Sequence, residues 1–287
     1  MGIDENEVRW RITQIHRRII INLAPVPQKE PFYDATGGPF THSKISKYVK
    51  LYTEDGIRGV CPCSSIMEKT ILPLIMTGEK RSFAQWMHKV YWSCRNSGFD
   101  GETAGEVGKL EYLLTDILAK RAGMPFHRFL GALKDSVTVY GSGGSTHLSG
   151  AALAGEMEHF MDCGHKTVKM KVGTDFATKI DYDVERVRLV RETIGPDAEL
   201  AIDGNHSFTV QEGGLPLLAC PLIATAGDDA MEEFLEVCNQ PVLDCMEVTV
   251  ERRGGRFYLP DIPGLPFRLD MKWLKKNGYL LSYERYS

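Results

Sequence analysis

Thr167-Val168-Lys169-Met170-Lys171-Val172-Gly173 is the stretch whose reading decides the fold. Successive side chains of a β-strand point to opposite faces, so Val168, Met170 and Val172 share one face and Lys169 and Lys171 the other. A solvated surface strand would account for Lys-x-Lys by itself. The next strand changes that reading. Glu199-Leu200-Ala201-Ile202-Asp203-Gly204-Asn205 sets Leu200 and Ile202 on one face and Ala201, Asp203 and Asn205 on the other. Asp203 follows Lys171 by 32 residues (203 − 171), close to one strand-helix-strand unit. Between them Ile180, Val184, Val187, Val190 and Ile194 form an apolar helical stripe, interrupted by Arg191 and stopped by Gly195-Pro196. Parallel neighbouring strands would therefore put a lysine and an aspartate on one face near their C-termini. In an α/β barrel that face is the interior, and strand C-termini are where active sites are built. A buried lysine beside a carboxylate is costly unless used, which favours a general base and a metal ligand as the pair of roles.

Outward from this unit, the order from Val137 to about Leu218 is β, α, β, α, β, α. It comprises a strand at Val137–Gly141, a helix at Ser149–Cys163 with Ser149 as N-cap, the two strands above and a helix beginning near Thr209. That order calls for a parallel sheet with right-handed crossovers. The preceding part reads differently. Val8–Asn22 is β-branched and alternating, Ile45–Thr53 turns at Asp55-Gly56 into Ile57–Cys61, and helices are predicted over Ser65–Met76, Phe83–Cys94 and Val107–Ala122. Pro25, Pro27 and Pro31 mark a loop that continues through Phe32–Gly38. After Leu218 the expected elements are a helix over Ala224–Cys238, a hairpin of Met246–Val250 with Phe257–Leu259 across Gly254-Gly255, and a short helix over Asp270–Lys276.

The 287 residues are 43% hydrophobic and 25% charged, enough to bury a core. A net charge of −4 argues against nucleic acid or an anionic membrane as partner. No apolar run is long enough to span a bilayer and the acidic N-terminus carries no signal core, so a cytoplasmic protein is expected. Seven scattered cysteines fit reduced thiols, buried as small hydrophobes, better than a disulfide framework. His147 and His206 follow strands and are the histidines best placed for a site.

With these residues in hand the chain resembles the enolase superfamily, in its mandelate racemase and muconate lactonizing enzyme group. Tyr52–Gly59 is similar to the hairpin of that group's capping domain, and Leu113–Pro125 running into Phe129-Leu130-Gly131 to its last capping helix. Val168–Gly173 is similar to the catalytic Lys-x-Lys strand, Asp203-Gly204-Asn205 to the first metal-ligand strand, and Leu259–Leu265 to the C-terminal return.

The resemblance implies an α/β fold: a TIM-type (β/α) barrel (136–259) with an N-terminal α+β capping domain (1–135) completed by 260–287. It implies Mg2+ gripping the carboxylate of a small substrate such as an acid sugar, a base that removes the proton α to it, and homo-oligomers. Carried over by residue, Lys171 is the base, Lys169 supports it, Asp203 ligates the metal and Asn205 supports that site or reaches substrate. Phe32–Gly38, with Tyr33, would close over the substrate, and Tyr140 and His147 belong to the first barrel loop. A dehydratase-type lyase is the leading activity. A racemase, epimerase or cycloisomerase is its alternative, and a non-catalytic remnant used in binding or oligomerisation is another.

The barrel is expected to be short of strands. A whole one takes about 250 residues, and only 152 follow Asp135 (287 − 135). The Glu-Glu-Pro or Glu-x-Pro motif of the next ligand strand is missing, and Asp228, Asp229, Glu232 and Glu233 read as a solvated helix face.

Overall fold

A computed structural model describes residues 14–42, 47–205, 231–235, 243–248 and 250–286. The N-terminal part contains β1 (Ile15–Leu23), β2 (Pro27–Asp34), β3 (Gly37–His42), β4 (Lys47–Thr53) and β5 (Arg58–Pro62). Helical turns over Met67–Ile75 precede α1 (Phe83–Cys94) and α2 (Gly101–Arg121). Then come β6 (Ser136–Gly143), α3 (Gly150–Asp162), β7 (Thr167–Lys171), α4 (Ile180–Ile194), β8 (Glu199–Asp203) and β9 (Met231–Leu235). The chain closes with β10 (Met246–Val248), β11 (Glu251–Arg253), β12 (Arg256–Tyr258), β13 (Phe267–Leu269), α5 (Met271–Lys276) and β14 (Leu280–Tyr286). The fold is α/β, and no helix among the described residues is long and apolar enough to cross a membrane.

The first sheet runs β14-β1-β4-β5, all antiparallel. Ile19, Ile20 and Ile21 are buried in succession because both faces of β1 are covered. Ile20 packs with Val49, Leu51 and the apolar stripes of α1 and α2, while Ile19 and Ile21 pack with Tyr48, Val137, Val139 and the C-terminal residues Leu265, Phe267 and Leu274. The C-terminal segment is also pinned to α2: buried Asp116 accepts from Leu265 N at 2.9 Å, and Phe126 N donates to Gly264 O at 2.9 Å. Gly264 has φ +84°, and a Cβ there would lie 2.5 Å from Asp116 Oδ1, so only glycine fits.

The second sheet is the one the lysine stretch announces. β6, β7 and β8 are parallel neighbours, with Gly141 opposite Val168 and Lys171 opposite Asp203. Val168 and Met170 are fully buried against Leu153, Met157 and Phe160 of α3 and Val190 and Ile194 of α4. At the other side of β6, β9 pairs in parallel from Thr138–Met231 to Ser142–Leu235, and the β11–β12 hairpin adds antiparallel to the start of β6.

Several expectations need correction. Within the helix expected over Ala224–Cys238, the described residues Met231–Leu235 form a strand, so Glu232 and Glu233 stand in β9 opposite Val139 and Tyr140 rather than on a helix face. Periodicity alone does not separate a short buried strand from a helix segment. The helix expected near Thr209, and with it Asp228 and Asp229, lies outside the described residues. The stretch Phe32–Gly38, expected as a loop, is the end of β2, a turn at Ala35-Thr36 and the start of β3, in a hairpin whose prolines hid its strand character. The late hairpin is β11–β12 across Gly254-Gly255, while Met246–Val248 pairs with Phe267–Leu269 instead. On α4 the buried face is Asp183, Arg186, Val190 and Ile194, with Val184 at 49% exposure. Cys61, Cys63, Cys94 and Cys245 are buried free thiols, but Cys163 is exposed.

Candidate functional site

The face of β6–β8 opposite the α3 and α4 side chains carries the charged cluster. Lys169 and Lys171 are only 7% and 4% exposed. Both donate to one oxygen, Asp203 Oδ2, from Lys171 Nζ at 2.6 Å and from Lys169 Nζ at 2.8 Å. The register explains the reach: Asp203 lies directly opposite Lys171, and Lys169 crosses diagonally from its own partner Ala201. Asp203 Oδ1 accepts from Asn205 N at 2.7 Å, a contact that Asn205 makes from the left-handed region at φ +49°. Burial raises the Asp203 carboxyl, but the hydrogen bonds from Lys169, Lys171 and Asn205 outweigh it and hold the group well below the usual carboxylate range.

The remaining candidates divide into two groups. Tyr140 belongs with the lysines, its ring centroid 5.9 Å from Lys169 Nζ. Tyr33 and His147 stack in a tilted pair at 4.6 Å and line a cleft of about 510 Å³ with Asp34, Thr146, Thr174 and Tyr182. Neither lysine lines that cleft. The neighbour of Tyr33, buried Phe32, is the hairpin side chain that approaches Lys171, with its ring centroid 6.0 Å from Nζ. Strand alternation across Phe32-Tyr33 is the signal that would have found it.

The hairpin is docked through the β6–α3 loop. Tyr33 N donates to Ser145 Oγ at 2.7 Å, Thr146 N donates to Tyr33 O at 3.0 Å, and Thr146 Oγ1 donates to Asp34 O at 3.1 Å. Ser145 Oγ also lies 2.7 Å from His147 Nδ1. Sequence reasoning missed a second support, Asp183. Its carboxylate accepts from Gly173 N and Thr174 N, both at 2.9 Å, and from Thr174 Oγ1 at 2.7 Å, capping the turn that follows the lysine strand. Burial raises its pKa, and these bonds with that from Arg186 bring it below the usual value.

As an oxygen donor set for magnesium, the described residues offer the Asp203 carboxylate and Asn205 Oδ1, which is buried with no hydrogen-bond partner among them. Both Asp203 oxygens are already engaged, and no cluster of three or more His, Cys, Asp or Glu able to hold a metal occurs among the described residues. Magnesium takes about six oxygens. The described residues do not by themselves fit the ion.

Residues 152–214, which span α3 to β8 and hold both lysines and Asp203, match the family described as Enolase C-terminal domain-like. That sets the class: an enolase-type α/β protein. The chain is similar to proteins of the enolase superfamily, in the mandelate racemase and muconate lactonizing enzyme group. It is 28% identical to arabinonate dehydratase of Saccharolobus solfataricus over 148 residues, 51% of this chain and 39% of that protein. The other similar proteins include cycloisomerases and epimerases as well as dehydratases. The chain thus spans about half, or less, of the length of the curated relatives it matches first. Among solved structures, a mandelate racemase/muconate lactonizing enzyme-like protein from Rubrobacter xylanophilus shares the fold with a TM-score of 0.77 at 18% identity, over 93% of this chain and 99% of that one. L-Talarate dehydratase from Polaromonas sp. JS666, crystallised with Mg and L-glucarate, gives 0.74 at 17%, over 96% and 99%.

Proposed function

We propose that this chain abstracts the proton α to the carboxylate of a small acid, an acid sugar, in a dehydratase-type lyase reaction. One observation carries the reading: two buried lysines share a single carboxylate oxygen. Two ammonium groups brought together on one carboxylate oxygen near the strand C-termini make a cationic face that suits an anionic substrate group.

Lys171, opposite Asp203 and beneath Phe32, is the base, and Lys169 holds the substrate carboxylate. The α C–H bond breaks, the proton goes to Lys171 Nζ as the free amine, and the electron pair passes into the carboxylate. The hydrogen bond Lys171 now donates to Asp203 has to be released first. The cluster of β6–β8 is the interior of a (β/α) barrel with fewer strands than usual, spanning 136–259. Residues 1–135 with 260–287 are its cap, and Tyr33 and His147 meet the distal end of the substrate. Magnesium, when bound, would supply the electrophile; Asp203 would be one ligand, and the other ligands would come from beyond the described residues. The similarity to epimerases and cycloisomerases makes re-protonation or ring closure the alternative fate of the same intermediate.

One observation favours a second reading, a non-catalytic binding or oligomerisation protein. β9 returns to flank β6 with only 27 residues between Asp203 and Met231 (231 − 203 − 1), and the described oxygen donors fall short of a magnesium site. The test is deuterium incorporation at the α carbon in D₂O across a panel of sugar acids, with and without magnesium. Incorporation that Lys171→Ala lowers by about 10²–10⁴-fold supports the enzyme. A folded protein that exchanges no acid at millimolar magnesium is the remnant.

A further inference from the structure

Arg186 is an arginine on the buried face of α4, 2% exposed, in a position where an amphipathic helix would carry an apolar residue. A guanidinium has five N–H donors, and all five are used. Nε donates to Leu148 O at 2.8 Å, one terminal nitrogen to Lys171 O at 2.9 Å and Asp183 Oδ1 at 3.0 Å, and the other to Gly144 O at 2.6 Å and Ser145 O at 2.9 Å. Four of the five acceptors are main-chain carbonyls, three on the loop that leaves β6 and one at Lys171, the last residue of β7. Gly144 O accepts a second bond, from Lys171 N at 3.2 Å, so both main-chain polar groups of Lys171 are tied to this network. Ser145, whose carbonyl Arg186 holds, is the residue that receives the β2–β3 hairpin. Asp183 balances the charge and caps Gly173 and Thr174 from the same helix.

We infer that Arg186 is a positioning residue that holds Lys171 and the Gly144–Leu148 loop as one unit. It sets the base and the docking loop of the hairpin in a fixed relation without touching substrate. The inference rests on Lys171 as the base, but its geometry is testable apart from that role. Lysine at this position would keep the positive charge beside Asp183 yet deliver at most three bonds from a single point, and could not span both segments.

The test uses Arg186→Lys, with Asp183→Asn as a second variant that leaves the guanidinium in place but weakens its anchor. Amide hydrogen exchange, read on peptides covering 144–148 and 171–174, is expected to rise at least tenfold in both segments together in Arg186→Lys, with the middle of α4 unchanged. In Asp183→Asn the rise falls mainly on 173–174. In the same preparation the kcat for α-deuterium incorporation is expected to drop at least tenfold with KM moved less than threefold, a split that simple loss of folded protein would not give. Protection of both segments within twofold of the parent in Arg186→Lys overturns the inference, as does loss of protection with kcat unchanged. If the parent protein exchanges no acid at all, the proposed function fails while the hydrogen-exchange arm still decides whether Arg186 unites the segments. Should Arg186→Lys fail to fold, Asp183→Asn decides: exchange at 171–174 unaltered overturns the inference.

Discussion

Replacing Asp203 by Asn tests the charged cluster without changing its shape. The substitution leaves Lys169 and Lys171, both under 10% exposed, with a neutral amide where their shared carboxylate stood. Removing one partner of a buried ion pair costs about 3–5 kcal/mol, because the penalty of burying the remaining charge is no longer offset. The Asp203 side chain is 28% exposed, so water relieves part of this and the low end applies, about 3 kcal/mol. For a chain of this size that corresponds to about 6 °C in Tm, at roughly 2 °C per kcal/mol. The pH dependence has a definite sign. The folded-state pKa of Asp203 lies below its unfolded value of about 3.9, so its contribution is complete above that pH and is lost as pH falls through the folded value. The parent and Asp203→Asn should therefore differ most at neutral pH and converge below about pH 4. Equilibrium urea unfolding at pH 7 and along an acid series measures both. A second substitution fixes the cause: Lys171→Met should destabilise the parent but stabilise Asp203→Asn, because there it removes one of two neighbouring ammonium groups that no longer share the Asp203 carboxylate. A pH 7 difference below about 1 kcal/mol, well under the buried-pair range, or a Lys171→Met effect of equal sign in both backgrounds, would refute the electrostatic reasoning.

Gly144→Ala should lower stability by about 3 kcal/mol, from the left-handed backbone at φ +61° and a Cβ 2.5 Å from Met170 Cβ; a Tm within 1 °C of the parent contradicts the close approach of the two strands. Ser145→Ala leaves Tyr33 N without its acceptor, a cost of about 1–3 kcal/mol, and should raise hydrogen exchange in the β2–β3 hairpin while α1 and α2 stay protected. Burial pushes the Cys63 thiol up to about 12 and the Cys245 thiol to about 11, so at pH 8 both should resist iodoacetamide in native protein while exposed Cys163 is alkylated. Mass mapping of the modified peptides reads the order directly.

The central unit was legible because its signals are local and periodic. Alternation in 167–173 and 199–205, with a helix-length spacer between, places Lys171 opposite Asp203 in the register found. What escaped notice was polar and set by tertiary structure. Asp183 and Arg186 look like solvent-side residues of α4, since nothing in a 3.6-residue period shows that the β6–α3 loop and the end of β7 will present four carbonyls to that face. The Phe32–Gly38 segment follows Pro25, Pro27 and Pro31 and ends in paired glycines, which signal a loop, whereas Phe32 pairs with Phe40 in a hairpin that docks against the β6–α3 loop. Met231–Leu235 lies in a stretch read as helical, and its parallel neighbour β6 is about ninety residues earlier, a separation that no window-based pattern reports.

Lys169 and Lys171 are chemically alike, yet their surroundings differ in a way that suits the separate tasks proposed for them. Lys171 is at the last position of β7, its N–H bonded to Gly144 O, its carbonyl held by Arg186 and the Phe32 ring above its amine. Lys169 is one residue pair deeper, beside the Tyr140 ring, and reaches Asp203 only diagonally. A substrate arriving at the strand C-termini meets Lys171 first, which suits a group that must exchange protons, while Lys169 suits a fixed positive charge. Arginine separates the two tasks, since a guanidinium keeps the charge but cannot be deprotonated in a protein and so cannot serve as the base. Lys171→Arg should therefore lower α-deuterium incorporation by about 10²–10⁴-fold, the span of a lost general base. Lys169→Arg should retain activity within about tenfold, equivalent to about 1.4 kcal/mol of imperfect geometry. The opposite order of effects would move the base to Lys169 and turn the roles of the two strand positions around.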